Sequence, residues 1–327
     1  MAKSAKQSGS FSRHASKGFL FACLALPLMG CEAEAPAADA ADPGKVACAA
    51  LATRLCAIQL QCTPATLPIH FGDVATCEKR QAARCELRLA APETSRTAAS
   101  VATCAASLAA VDCQFQGSFD SAEGCRAKPG LGEHAAPCVD DGQCKSSYCH
   151  IKDAYSACGT CMTRAKVAEQ CTLDAECEQG LVCVATKSVK RCVQVVAAAA
   201  KCDAERVCGK PFFCVQGICQ AGAKAGATCD NDVKNCDSGV GLRCNPVTEK
   251  CEAQAIADPF QKCGYFDGKY ILCGYGGRCA NLVGGKGTCE VVPDDGGACT
   301  TSEQTPCRAL AACHAGKCGM VDAKACK

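Results

Sequence analysis

Thirty-six of the 327 residues are cysteine, a density above the level that marks a disulfide scaffold. This feature narrows the available folds more than any other. Trp is absent and aromatics make up 5% of the chain. Ala and Cys supply much of the 49% hydrophobic share, and neither buries much area per residue. A large aliphatic and aromatic core is therefore excluded. Stability has to come from small modules cross-linked by cystine.

The N-terminus reads as an export signal. Met1–Lys17 is basic and free of acidic residues, and Phe19–Met29 is a short apolar run. That run is too short to span a hydrocarbon core of about 30 Å as a helix, but it suits the apolar region of a secretory signal. It ends Leu28-Met29-Gly30-Cys31, which resembles the lipobox of bacterial lipoproteins. The resemblance implies a signal peptide over 1–30, cleavage after Gly30 and lipid attached at Cys31. Several acyl chains at about 0.8 kcal/mol per buried CH₂ give a stable anchor. Glu32 follows the lipidated position, where an Asp would favour inner-membrane retention. The expected location is thus the bacterial cell envelope, on the outer membrane, at its periplasmic or surface face. Residues 31–45 lack large apolar side chains and read as a flexible tether.

Of the 36 cysteines, Cys23 leaves with the signal and Cys31 takes lipid. The remaining 34 are even in number and suffice for 17 disulfides. Structural zinc favours closely spaced Cys-x₂₋₄-Cys pairs. Cys158-Gly159-Thr160-Cys161 is the only Cys-x-x-Cys in the chain, so no metal site is expected.

Residues 46–128 form a helical disulfide-linked domain in this reading. An Ala- and Leu-rich stretch begins at Val46. Asp73 can cap a second helix running to about Leu89. Pro92 interrupts, and a third helix covers Thr97–Ala110. Cys48 and Cys56 are eight residues apart, as are Cys77 and Cys85. Eight helical residues rise about 12 Å, too far for a disulfide within either pair. Antiparallel helices resolve this by joining Cys48 to Cys85 and Cys56 to Cys77. Cys62, Cys104, Cys113 and Cys125 are left to pair among themselves.

Residues 129–327 read as tandem cysteine repeats. Cys138, Cys144, Cys149 and Cys158 form the first unit, with Cys161 extra. Later units start at Cys171, Cys202, Cys229, Cys263 and Cys299, and Cys326 stands alone in the tail. Turn formers such as Asp140-Asp141-Gly142 and Gln216-Gly217 suggest a short hairpin per unit. Two disulfides would staple each hairpin, since a bare one is marginal in water. Four cysteines permit three connectivities, of which first-to-third with second-to-fourth is favoured. Linkers such as Ala221–Ala227 suggest beads on a string. The expected fold class is disulfide-rich: a small α-helical disulfide-linked domain followed by tandem small β-hairpin cystine modules.

The spacing from Cys138 to Cys192, with Asp141-x-x-Cys144 and Gly180-Leu181-Val182-Cys183, is similar to the Dickkopf N-terminal cysteine-rich domain. That family has an adjacent Cys-Cys pair, whereas Cys177 is followed here by Glu178. Its role in animal signalling does not carry over to a chain with a lipobox. The chain as a whole resembles the bacterial Cys-rich lipoproteins of uncharacterised function that share this spacing.

Chemistry is sparse. Of the five histidines His14 leaves with the signal, and His70, His134, His150 and His314 are scattered and read as solvated, without a catalytic constellation. Cys158-Gly-Thr-Cys161 lacks the strand-helix setting of a redox pair. Asp230, Asn231, Asp232, Asn235 and Asp237 cluster oxygen atoms, but Lys234 interrupts a calcium loop, so they read as turns. Gly284-Gly285-Lys286 reads as a hairpin turn. Once Lys3, Lys6, Arg13 and Lys17 leave with the signal, 31 of the 35 basic residues face 33 acidic ones, and no basic stripe for nucleic acid exists. No catalytic residue and no cofactor are expected. Phe260, Tyr265, Phe266, Tyr270 and Tyr275 crowd into one repeat. Tyr265, Phe266, Tyr270 and Tyr275 are candidate contacts for a protein or polysaccharide partner. The functional expectation is a non-enzymatic surface binding or adhesion module. The alternatives are a structural spacer or coat protein, or a protease inhibitor or antagonist.

Overall fold

The computed structural model describes residues 42–110, 122–152, 156, 158–186, 189–209, 212–230, 235–300 and 307–326. The signal sequence, Cys31, tether residues 32–41, Cys113 and residues 231–234 lie outside this set.

The chain is disulfide-rich, with a helical region followed by small antiparallel hairpin modules. Helix α1 spans Pro43–Cys62. It starts earlier than the tether boundary at residue 45 allows, and the reason is local. Pro43 suits the first helical turn, and the Asp42 carboxylate accepts a hydrogen bond from the Gly44 N–H at 2.8 Å. A short helix α2, Thr66–His70, follows. Helix α3, Val74–Leu89, is capped by Asp73, whose side chain accepts from the Thr76 N–H at 2.7 Å. Helix α4, Ala98–Ser107, begins at a Thr97–Ser100 capping box and tightens into a 3₁₀ turn over Leu108–Ala110.

Cys48, Ala52 and Cys56 recur every four residues on α1 and are all buried. This small-residue stripe lets α1 and α3 approach closely. Disulfides join Cys48 to Cys85 and Cys56 to Cys77, with Cα separations of 5.4 and 6.0 Å. Cys104 bonds Cys125, and Ile58, Cys62 and Leu108 pack around that bridge. Cystine and small aliphatics thus replace an aromatic core.

Six hairpin modules follow, each built on one repeated backbone pattern. In each, the residue three before the first cysteine donates its N–H to the carbonyl of the module's last cysteine. The pairs are Ala135 with Cys161, Ala168 with Cys192, Ala199 with Cys219, Gly226 with Cys251, Phe260 with Cys289 and Gly296 with Cys318. The disulfides run first-to-third and second-to-fourth, as in Cys171–Cys183 with Cys177–Cys192 and Cys202–Cys214 with Cys208–Cys219. The three later modules follow the same order.

The first module corrects the sequence assignment. Its fourth cysteine is Cys161, which bonds Cys144, while Cys138 bonds Cys149. Cys158 is the extra residue, and it bonds Cys326. The Cys158-x-x-Cys161 pair is therefore divided between two different bridges.

The modules are also not isolated beads. The second module's strand Val189–Val196 pairs in parallel with Arg206–Cys208 of the third. Ala255–Ala257 joins a five-stranded sheet whose other strands, from Lys262 to Glu290, belong to the fifth module. Both ends of the array return to the helices. Buried Asp140 of the first module faces Arg96 at 2.5 Å and Arg88 at 3.3 Å. In the last module, Asp295 and the Ala309 carbonyl both accept from Arg80 on α3, and Ala309 and Leu310 pack on Phe71. Ala91, Val139 and Ala323 share one small core. The helical region is thus the hub of a closed circuit of modules.

Candidate aromatic cleft

The fourth and fifth modules meet at a cleft of about 310 Å³, near the lower end of the range for small-ligand sites. One wall is the hairpin Leu242–Asn245 with Lys250–Ala253. The other is the antiparallel pair Lys262–Phe266 with Lys269–Cys273. The turns of the two hairpins touch. Gly268 has φ of +75°, and a Cβ there would lie 2.8 Å from Val247 Cγ2.

Tyr265 and Tyr270 are register partners across the second wall, so their side chains leave the same face of the sheet. Their ring centroids are 4.9 Å apart. Tyr265 remains 53% exposed, which leaves ring surface free for a ligand. The Arg243 guanidinium lies 5.8 Å from the Tyr270 centroid and, among the described residues, has no carboxylate partner. Glu252 is held by Asn245 Nδ2 at 3.1 Å, by Thr248 Oγ1 at 2.9 Å and by Lys269 Nζ at 3.7 Å. Hydrogen bonds from Asn245 and Thr248, with Lys269 beside them, keep its carboxyl below the usual range. Glu252 is thus ionised and already partnered. Gln254 Nε2 donates to the Tyr270 carbonyl at 2.5 Å and to the Ala255 carbonyl at 3.0 Å, which fixes the strand that carries Tyr270. The Gln254 Oε1 atom is buried and, among the described residues, has no hydrogen-bond partner, a costly arrangement that marks this wall as unusual.

The structure separates the four candidate aromatics. Tyr265 and Tyr270 line the cleft. Phe266 pairs with Lys269, on the opposite face of the strand, and its ring lies 5.7 Å from Lys262 Nζ and 5.3 Å from Lys286 Nζ. Tyr275 belongs to an internal junction. Its N–H donates to the Pro68 carbonyl at 2.9 Å, and its ring lies so close to Gly72 that a Cβ there would be 2.1 Å away. Phe260 is 78% exposed and is not part of the cleft.

Arg243, Asn245, Glu252 and Gln254 carry no signal in the sequence that could have singled them out. They become a set only when two modules pack together. His150 also differs from the solvated reading. Its Nδ1 lies 3.1 Å from the Tyr148 hydroxyl and 3.7 Å from Glu176. Burial, with Glu176 nearby, pushes the Tyr148 hydroxyl up to about 12. Asp237 caps a turn by accepting from the Gly239 N–H at 3.0 Å, and Gly284 and Gly285 form a hairpin turn between Val283 and Lys286. The close cysteine triplets, such as Cys138, Cys144 and Cys161, are parts of the module disulfides and have no thiolate to offer a metal. Compared with protein-family models, with curated proteins and with solved structures, the chain matches none of them.

Proposed function

We propose that this chain is a non-enzymatic lipoprotein of the bacterial cell envelope, anchored through Cys31, whose rigid body presents the cleft of the fourth and fifth modules to a partner. The observation that carries the reading is the tyrosine pair, Tyr265 exposed and Tyr270 half-buried behind it, on a wall made stiff by the disulfides Cys263–Cys279 and Cys273–Cys289. Aromatic side chains held in place lose little conformational freedom on binding and make good anchors. The Leu28-Met29-Gly30-Cys31 sequence supports the anchor, and the many disulfides suit an oxidising compartment. The closed circuit weighs against a simple spacer, because removing one module would break the return to the helices.

Two measurements test this. The first is the intact mass of the protein extracted from its native envelope after free thiols are alkylated without reduction. A lipidated species beginning at Cys31 with no alkylated thiol is expected, and an unlipidated mass overturns the anchor. The second is association of a soluble form starting after Cys31 with isolated envelopes. Replacing Tyr265 and Tyr270 together by Ala should abolish it, and undiminished association overturns the assignment of the cleft.

A further inference from the structure

The partner's chemistry follows from what the cleft offers and what it already uses. This step rests on the binding role proposed above. Three features count. The exposed Tyr265 ring, backed by Tyr270 at 4.9 Å, is a flat apolar platform. The ionised Glu252 is satisfied by Asn245, Thr248 and Lys269, so it neither needs a ligand cation nor leaves Lys269 unpaired. Arg243 is exposed on the facing hairpin. Its cross-strand partner Glu252 is engaged by Asn245, Thr248 and Lys269, and among the described residues no carboxylate lies within ion-pair distance of its guanidinium, which sits 5.8 Å from the Tyr270 ring. The cleft therefore holds one uncompensated positive charge beside an aromatic surface.

We infer that the cleft binds an acidic saccharide, with a sugar ring lying on Tyr265 and its carboxylate paired with Arg243. A sugar has an apolar C–H face that fits an aromatic ring. A guanidinium matches a carboxylate with two parallel hydrogen bonds. A simple inorganic anion would not use the platform, and a neutral sugar would leave Arg243 unpaired. The volume of about 310 Å³ suits a short stretch of such a polymer rather than a folded domain.

The test is calorimetric titration of the intact soluble protein, disulfides oxidised, with trigalacturonate. The neutral galactose trimer and hexaglutamate serve as comparisons. Trigalacturonate should bind, the neutral trimer should bind at least about tenfold more weakly, and hexaglutamate should not bind measurably. Raising salt should weaken the trigalacturonate complex. Arg243→Gln should remove the preference for the acidic sugar. Tyr265→Ala should weaken binding roughly three- to tenfold, and an unchanged disulfide map and thermal midpoint would show that the fold is intact. Equal affinity for the neutral trimer, tight binding of hexaglutamate, indifference to Arg243→Gln, or no binding of trigalacturonate by the folded protein each overturns the inference. Its failure is distinguishable from failure of the binding role. If the two tyrosines are still needed for envelope association while trigalacturonate does not bind, the role stands and the ligand class is wrong.

Discussion

Cys158 and Cys326 are bonded across 168 residues of sequence, tying the first cystine module to the end of the described chain. Cross-linking stabilises chiefly by restricting the unfolded chain, more so for longer loops. This loop already contains other bridges, which shorten its effective length. Cys158→Ser with Cys326→Ser should therefore cost about 3 kcal/mol rather than the larger value for an open loop of this size. The check is denaturant unfolding without reductant. Because only the circuit's closure is lost, the bridges within each module should remain in a non-reducing peptide map. Scrambled module bridges would show instead that this bond directs the folding of its neighbours.

The helical pairing was legible because geometry left few choices. The two eight-residue spacings exclude bonds within a helix, and one antiparallel register satisfies both pairs. Repeat limits were legible from spacing except in the first module, where Cys158 and Cys161 compete for the fourth place. The backbone decides between them, since Ala135 donates to Cys161, and no spacing rule encodes that bond. The return of the array to the helices was not legible. It depends on Arg80, Arg96 and Asp140, charged residues that look like ordinary surface in sequence. The cleft was half legible. An aromatic concentration flagged Tyr265 and Tyr270, but the polar residues opposite them lie in the preceding module and carry no motif.

Arg80 should matter far more than its ion-pair partner. Its side chain is 9% exposed whereas that of Asp295 is 51% exposed. Arg80→Ala removes the 2.6 Å bond to the Ala309 carbonyl and opens the packing between α3 and the last module. A loss of about 2–3 kcal/mol is expected. Asp295→Ala removes only a solvent-screened pair and should cost less than about 1 kcal/mol. Paired unfolding curves measure both. Equal effects would mean that the ion pair, and not the buried carbonyl bond, holds the module to α3.

Asp140 makes the junction between the helices and the first module sensitive to acid. Burial by itself would raise its carboxyl. The Arg88 and Arg96 guanidiniums, with hydrogen bonds from Arg96 and the Gly142 N–H, outweigh burial and hold it below the usual value. A carboxyl with a depressed folded-state pKa stabilises fully above its unfolded value of about 4. That contribution is lost as pH falls through the lower folded value. Stability should therefore drop below about pH 4. Asp140→Asn should cost about 3 kcal/mol at neutral pH and flatten the decline in acid. A variant with the same acid dependence as the parent would assign that decline to other carboxyls.

The position three before each module's first cysteine offers a test of backbone strain alone. All six residues there have positive φ: Ala135 at +67°, Ala168 at +68°, Ala199 at +60°, Gly226 at +79°, Phe260 at +67° and Gly296 at +88°. Holding a residue with a Cβ in this left-handed region costs about 1–2 kcal/mol. Glycine avoids that cost but loses about 0.5–1 kcal/mol of extra chain entropy on folding. Ala199→Gly should therefore stabilise by a few tenths to about 1 kcal/mol. The reverse change, Gly226→Ala or Gly296→Ala, should destabilise by a similar amount. An added Cβ meets nothing within 4 Å at either glycine, so a loss there cannot be a steric clash. Phe260 is the informative member of the set, because its ring is too exposed to contribute much packing. If Phe260→Gly stabilises the oxidised protein as Ala199→Gly does, the phenyl ring is kept against a folding disadvantage, and its use lies at the surface. A loss of stability on the same change would instead place the ring in the module's own packing.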